Sequence, residues 1–235
     1  IESGNPVHSL AGSDAFRRAM RACELTVVVD VAMTETAEQA DWVLPAASQY
    51  EKAEATFFSA SFPDNTFHVR PAILEPLEGT LPEPEIHARL VRASGALDDV
   101  EEAGVLDDLR TAAAAGIDAF GAAFMAAMSE HPGLSSVGAV VLYETLGRTL
   151  SPGREGTAAV WFLAQMVAMQ HPDAVRAAGH EGDGPALGNA LWQAIHDGED
   201  GVVFTRHDYA DSLDMIGTPD GRIHLDLPEL LDLLR

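Results

Sequence analysis

Apolar residues recur along the first hundred residues in two rhythms, one helical and one extended. Residues 13–24, SDAFRRAMRACE, place Phe16, Ala19, Met20 and Cys23 at helical spacing with Arg17, Arg18 and Arg21 opposite. This predicts an amphipathic helix of about three turns, capped by Ser13 or Asp14. Leu25-Thr26-Val27-Val28-Val29-Asp30 follows at once. A continuous, largely β-branched run of this kind suits a buried parallel strand, and Asp30 ends it. Thr36 and Gln39 stand at capping-box spacing and predict a short helix start. Trp42-Val43-Leu44-Pro45 reads as a second buried strand, stopped by proline. Helix, strand, short helix and strand make an α/β unit with parallel strands, and Val27, Val28, Val43 and Leu44 are expected in its core.

Further along the pattern loosens. Thr56-Phe57-Phe58 and Thr66-Phe67-His68-Val69 read as short strands around a Pro63-Asp64-Asn65 turn. Glu83 to Arg92 is helical, with Ile86, Leu90 and Val91 on one face and Gly95 as its stop. After Ser94 the sequence becomes Ala-rich, with helical periodicity over Asp98–Met128, Val137–Leu146, Thr157–Met169 and Ala186–Ile195. Short strands are expected at Val202-Val203-Phe204 and Ile223-His224-Leu225, and Pro228 opens a last helix. The fold expected is therefore α/β. A parallel-sheet, Rossmann-like three-layer half-domain spans residues 1–95, covered by helices 13–24 and 83–94. A mostly helical region spans 96–235.

Composition narrows the functional classes. With 235 residues and 47% hydrophobic content the chain can bury one large core or two small ones. No apolar run approaches the roughly 18 residues of a membrane span, and no basic-then-apolar leader is present. The opening Ile1-Glu2-Ser3-Gly4-Asn5-Pro6 reads as the middle of a domain, directly after a buried strand, so a fragment of a longer protein is expected. A formal charge of −23, from 37 acidic against 14 basic residues, argues against nucleic acid and anionic membranes as partners. Cys23 is the single cysteine; it cannot form an internal disulfide, hold an iron–sulfur cluster or close a zinc site. Its place on the apolar helix face makes it an expected core residue, and a reducing, cytoplasmic setting fits.

Asp30 carries the most chemical information. Ligands in open α/β sheets sit beyond the carboxyl ends of the strands, where a carboxylate accepts from ribose hydroxyls or from the paired donors of a guanine edge. The same residue type also caps the turn that follows a strand. Other candidates are weaker. Gly179-His180-Glu181-Gly182-Asp183-Gly184 follows a helix rather than a strand and carries two acids that repel phosphate, so it reads as a loop. His207-Asp208 with Tyr209 and Asp211 reads as surface. His87, His131, His171 and His196 occur singly, without zinc spacing. No serine stands in a Gly-x-Ser-x-Gly elbow.

Residues 27–57, VVVDVAMTETAEQADWVLPAASQYEKAEATF, resemble the third domain of the molybdopterin oxidoreductase family, which includes formate dehydrogenases, nitrate reductases and dimethyl sulfoxide reductase. The shared order is a hydrophobic strand ending in Asp (Val27–Asp30), a Thr-Glu-Thr-Ala segment (Thr34–Ala37), Ala-Asp-x-Val-Leu-Pro (Ala40–Pro45) and a Glu-Lys segment (Glu51–Glu54). Gly4-Asn5-Pro6 is similar to the end of the family's preceding strand, and Glu83-Pro84-Glu85-Ile86 stands where the family has an acidic residue before a helix. The likeness is good over residues 1–95 and loose beyond.

The resemblance implies one grip of a bis-molybdopterin guanine dinucleotide carrying molybdenum or tungsten, with Asn5, Val29, Asp30, Lys52 and Glu83 at the matched cofactor-binding positions. Asp30 would read guanine or ribose, and Lys52 would offer a cation to phosphate or a ring carbonyl. No catalytic or metal-binding residue is expected in the chain. The metal ligand, the second dinucleotide grip and any iron–sulfur cluster would lie elsewhere in the polypeptide. The isolated chain is then expected to be inactive and to hold no cofactor. Its partners would be the remaining domains and any electron-transfer subunits. The alternative is a cofactor-free structural version of the domain, as in the large iron–sulfur subunit of NADH–quinone oxidoreductase; a free-standing nucleotide-binding or interaction domain is a third reading. The sequence departs from the family at Ala53-Glu54-Ala55, at Ser59-Ala60-Ser61-Phe62-Pro63, and at Glu83-Pro84 in place of Asp-Trp.

Overall fold

The computed structural model describes residues 1–55, 62–198 and 200–232. It opens with a short helix α1 (Pro6–Ser9) and the amphipathic α2 (Ser13–Ala22). Strand β1 (Val27–Asp30) then pairs in parallel with β2 (Trp42–Pro45), in the register Val27↔Trp42 to Asp30↔Pro45. The free edge of β1 takes a parallel bridge from Glu2 to Val29, and beyond β2 Ala46 bridges to Leu81. Alternation along β1 sends its side chains into two separate cores. Val28 packs with Val7, Met20 and Ala37 on one face, and Val29 with Ala46 and Ile86 on the other. Helices α1 and α2 thus cover one face. Helix α3 (Glu83–Ala93) covers the other through Ile86, and the three-layer α/β arrangement forms as expected.

Local details differ from the sequence reading. Neither Ser13 nor Asp14 caps α2: the N-cap is Gly12 in a left-handed conformation, and no side chain bonds there. Asp14 instead accepts from Arg17 at 2.8 Å. Cys23 lies past the helix end with extended backbone and is exposed, not a core residue. Its Sγ donates to Ala19 O at 3.4 Å. The strand begins at Val27 because Thr26 is held first, its amide by Asp41 Oδ2 at 2.8 Å and its hydroxyl on Met20 O at 3.1 Å. Leu25 is left 60% exposed. The capping box does not form. Thr34 Oγ1 accepts from Ala37 N at 3.2 Å and opens a 3₁₀ turn (Ala37–Gln39), while Thr36 is buried and committed elsewhere. Val27, Val43 and Leu44 are half-buried rather than buried, since β2 lies toward the edge of a narrow sheet and Trp42 is 67% exposed.

Two small antiparallel ladders follow. Strand β3 (Glu54–Ala55) pairs with β5 (Val69–Arg70). Strand β4 (Asp64–Phe67) pairs with β6 (Val202–Arg206), with a register shift between Asn65 and Thr66. Asp64 and Asn65, expected in a turn, are therefore strand residues, and Asn65 donates to Thr205 Oγ1 at 2.9 Å. The expected strand Thr56–Phe58 lies outside the described residues.

Helix α3 (Glu83–Ala93) ends in a Schellman turn. Gly95, at φ +74, donates to Arg92 O, and Ala96 donates to Val91 O. It faces both halves of the molecule: Ile86 packs under the parallel sheet, while Ala88 and Val91 join the larger core. Leu90, expected on the buried face, is exposed.

The Asp98–Met128 stretch is three helices, not one: α4 (Asp98–Glu102), α5 (Val105–Ala115) and α6 (Ile117–Glu130). Gly104 and Gly116 break it with positive φ. Then come α7 (Leu134–Glu144), α8 (Ala159–Gln170), α9 (Pro172–Ala177) and α10 (Pro185–Asp197). Phe120, Phe124 and Trp161 form an aromatic centre with ring separations of 5.3 to 5.6 Å. Asn189 anchors it, accepting from Trp161 Nε1 at 2.9 Å and donating to Asp118 at 2.7 Å. Residues 223–225 form no strand; the segment is irregular and exposed before α11 (Pro228–Asp232). Among the described residues no helix is long and apolar enough to cross a membrane.

Candidate functional site

Strand β1 delivers Asp30 to the carboxyl end of the parallel pair, where the residue is 9% exposed. Oδ1 accepts from the amide of Val31 at 2.7 Å. Among the described residues no cation pairs with this carboxylate and no second donor reaches it. The local turn thus uses part of the acceptor capacity of Asp30 and leaves the rest open. Val29 offers backbone: its carbonyl accepts from Ser3 N at 3.0 Å and its amide donates to Ile1 O at 2.9 Å. Those contacts bind the first residues of the chain to the sheet.

Asn5 is occupied by the fold. Its Oδ1 accepts from the Thr36 hydroxyl at 2.8 Å and the Thr36 amide at 3.2 Å, and its Nδ2 donates to Glu35 at 2.6 Å. Thr36 Oγ1 in turn accepts from Val7 N at 3.0 Å. The network ties the start of α1 to the Thr34–Ala37 turn. The Asn5 amide holds the Glu35 carboxyl below its usual range.

Lys52 and Glu83 meet each other. Lys52 Nζ bonds both carboxylate oxygens of Glu83, and Glu54 lies 3.9 Å away. Both side chains are largely buried. The expected role of Lys52, a cation offered to a ligand, is therefore not displayed: its charge is matched within the protein. The pair lines a cleft of about 360 Å³ with Glu2, Ser3 and Pro84 on one side and Tyr143, Gly156 and Leu163 of the helical region on the other. Asn5, Val29 and Asp30 are not among its lining residues. The five matched positions thus fall into a strand-end carboxylate with its backbone neighbour, a loop tie and a buried ion pair.

Glu85 and Tyr143 were not singled out from the sequence, yet they join α3 to α7. Tyr143 donates to Glu85 at 2.6 Å and Arg89 adds a second bond at 2.7 Å. Burial alone would raise the Glu85 carboxyl, but the Tyr143 and Arg89 bonds prevail and hold it below its usual range. Burial first, and then this carboxylate, push the Tyr143 phenol well above its ordinary value. The available signal was a tyrosine at the end of the apolar run that begins at Val137, where a buried hydroxyl needs a partner. Glu51, inside the matched Glu-Lys segment, proves a loop staple: it accepts from Ser48 N at 2.8 Å and Leu77 N at 3.1 Å. Its carboxyl is lowered chiefly by the Ser48 amide. The Gly179–Gly184 segment is a loop as expected, with His180 Nε2 bonded to Val203 O at 2.8 Å and Asp183 paired with Arg176.

Comparison with known proteins bears on this sheet. Over 59 residues the chain is 34% identical to the "Probable oxidoreductase YyaE" of Bacillus subtilis (strain 168). The aligned stretch is 25% of this chain and 9% of that relative, so the chain spans a small part of the relative's length. No solved structure matches. A family model for molybdopterin oxidoreductase matches residues 2–75, which include Asn5, Val29, Asp30 and Lys52 and leave Glu83 outside. The segment that builds the β1–β2 sheet and presents Asp30 is thus similar to the molybdopterin oxidoreductase family.

Proposed function

We propose that this chain is a segment of a molybdopterin-dependent oxidoreductase, and that its parallel sheet is part of the scaffold for one molybdopterin guanine dinucleotide. One observation carries the reading: within the family-matched stretch, Asp30 ends strand β1 as a buried carboxylate with acceptor capacity to spare and, among the described residues, no cation beside it. That fits a group presenting paired N–H donors, as a guanine edge does. When bound, the molybdenum or tungsten centre of such a cofactor supplies the redox chemistry. The residues of this chain would bind and orient its nucleotide end. Asp30 would accept the nucleotide donors, and Val29 would hold the strand end in place. Lys52 and Glu83 fit less well, because a ligand phosphate would have to compete with an existing buried pair.

That occupation, together with the closed network of Asn5, favours a second reading, in which the domain is kept as structure without cofactor. The test uses the full-length enzyme with Asp30→Ala and Asp30→Asn. Guanine nucleotide per mole of protein is measured beside a thermal melt of the cofactor-free form. The proposal expects both variants to lose nucleotide, because each charge-assisted hydrogen bond is worth about 1.5–3 kcal/mol. The melt should change little. Unchanged nucleotide content with a clear drop in the melt would make Asp30 a turn cap and put the structural reading first.

A further inference from the structure

A second cleft, of about 380 Å³, opens in the helical region, where the α5–α6 turn, the segment after α7 and the last turns of α10 meet. It belongs neither to the parallel sheet nor to the family-matched residues. Its apolar wall is built by Ile117, Leu146, Leu150 and Trp192. Its charged groups are Arg154 and Asp197, both near His196, yet they form no ion pair with each other. The Arg154 guanidinium makes one hydrogen bond among the described residues, from Nη1 to His196 O at 3.2 Å. Asp197 accepts from Gln193 Nε2 at 3.0 Å. Most arginines of this acidic chain are matched to a carboxylate, as Arg92, Arg110 and Arg148 all are to Glu144. Among the described residues Arg154 has no carboxylate partner while it faces a cavity. The Trp192 ring forms part of the wall, and its buried Nε1 has no acceptor among the described residues. Buried donors of this kind call for an oxygen.

Opposite charges that share a cleft without pairing are complementary to a ligand carrying both. We propose that this cleft binds a free α-amino acid with an apolar side chain. Arg154 takes its carboxylate and Asp197 its ammonium, and the wall of Ile117, Leu146, Leu150 and Trp192 receives the side chain. A simple anion matches less well, because Asp197 would repel it. A simple cation meets the same objection from Arg154. The remaining acidic surface matters little to a net-neutral zwitterion, and charges beyond ~8 Å are screened at physiological ionic strength. The volume lies in the range of small-molecule pockets, roughly 300–1,000 Å³.

The test is calorimetric titration of the chain with L-leucine and L-phenylalanine, beside L-leucine amide, which lacks the carboxylate, and N-acetyl-L-leucine, which lacks the ammonium. Saturable binding of a free amino acid is expected, with either blocked compound at least about tenfold weaker, as loss of a charge-assisted contact implies. Arg154→Gln and Asp197→Asn should each weaken binding by a similar factor. Asp197→Asn is isosteric and keeps an oxygen for Gln193, so its melt should match the parent. No binding of either amino acid at millimolar concentration would overturn the proposal. So would N-acetyl-L-leucine binding as tightly as L-leucine, or Asp197→Asn binding as tightly as the parent.

Discussion

The parallel sheet and the helical region are held together by different means. Around β1 the apolar contacts split into two small clusters, one on each face, and neither is large. Polar ties do much of the joining: Asn5 to Thr36, Thr26 to Asp41, and Glu51 to two backbone amides. Large apolar side chains stay outside, among them Leu25, Met33, Trp42, Ile73 and Leu77. The helical region instead buries one continuous core from Leu97 to Ile195, with an aromatic centre. Burial stabilises in proportion to area and tolerates imprecise geometry, whereas a polar tie depends on each partner being in place. The region matched to a cofactor-binding family is therefore the one whose integrity hangs on individual hydrogen bonds.

Mutations at the centre of each half separate the two modes. Trp161→Ala should have the largest effect, about 3–5 kcal/mol, since it opens a cavity against Phe120 and Phe124 and removes one of the two donors to Asn189 Oδ1, leaving Gln165 Nε2. A denaturant melt should show a cooperative loss of the helical signal; a loss under 1 kcal/mol, roughly the value of a surface site, would deny that this core carries the region. Thr36→Ala should cost about 1–3 kcal/mol, because Val7 N loses its acceptor and Asn5 loses a donor in a buried site. Hydrogen exchange should quicken over residues 5–9 and 34–39 while α8 and α10 stay protected. Equal quickening in α8 would show that the halves do not differ as described. Trp42→Ser should stay within about 0.5 kcal/mol of the parent in the isolated chain, in contrast to the buried Trp161.

The smallest effect concerns pH. Burial first, and then the neighbouring Arg154, lower His196 from its ordinary 6.5, so the folded chain holds this ring neutral. Below pH 6.5 the unfolded chain takes up a proton that the folded chain resists. The contribution of His196 is therefore complete above 6.5 and is lost as pH falls through the lowered folded value. His196→Gln should show a shallower fall in melting temperature between neutral and mildly acidic buffer. The depressed carboxyls of Glu51 and Glu85 also weaken the fold on acidification, but they are common to both proteins and cancel in the comparison. A parallel fall in the two would remove His196 from the account.

How much was legible in the chain depends on the range of the interaction. The β-branched run at Val27–Asp30, the amphipathic pattern of α2 and the Gly95 stop of α3 are local signals, and each produced its element. Asp30 at the strand end could be named because position within a strand is itself local. Boundaries set by competition were not legible. Thr36 has the spacing of a cap, but Asn5 and Val7 claim its hydroxyl from about thirty residues away. Cys23 has the periodicity of a core residue, but the helix stops one residue short of it.

The sequence by itself determined the α/β layering, the strand order of the parallel pair and the helical character of the second half, because the periods of apolar residues specify which faces must be buried. Only the tertiary structure decided which polar groups remain open. Lys52 and Glu83 read as separate ligand contacts until folding brought them together across 31 positions, where each offsets the buried charge of the other. Arg154 and Asp197 stand 43 positions apart with no local signal to link them, and α10 and the segment after α7 place them in one cleft without an ion pair among the described residues. Whether a charge is spent or available depends on distances between residues remote in the chain, and no local pattern encodes those distances.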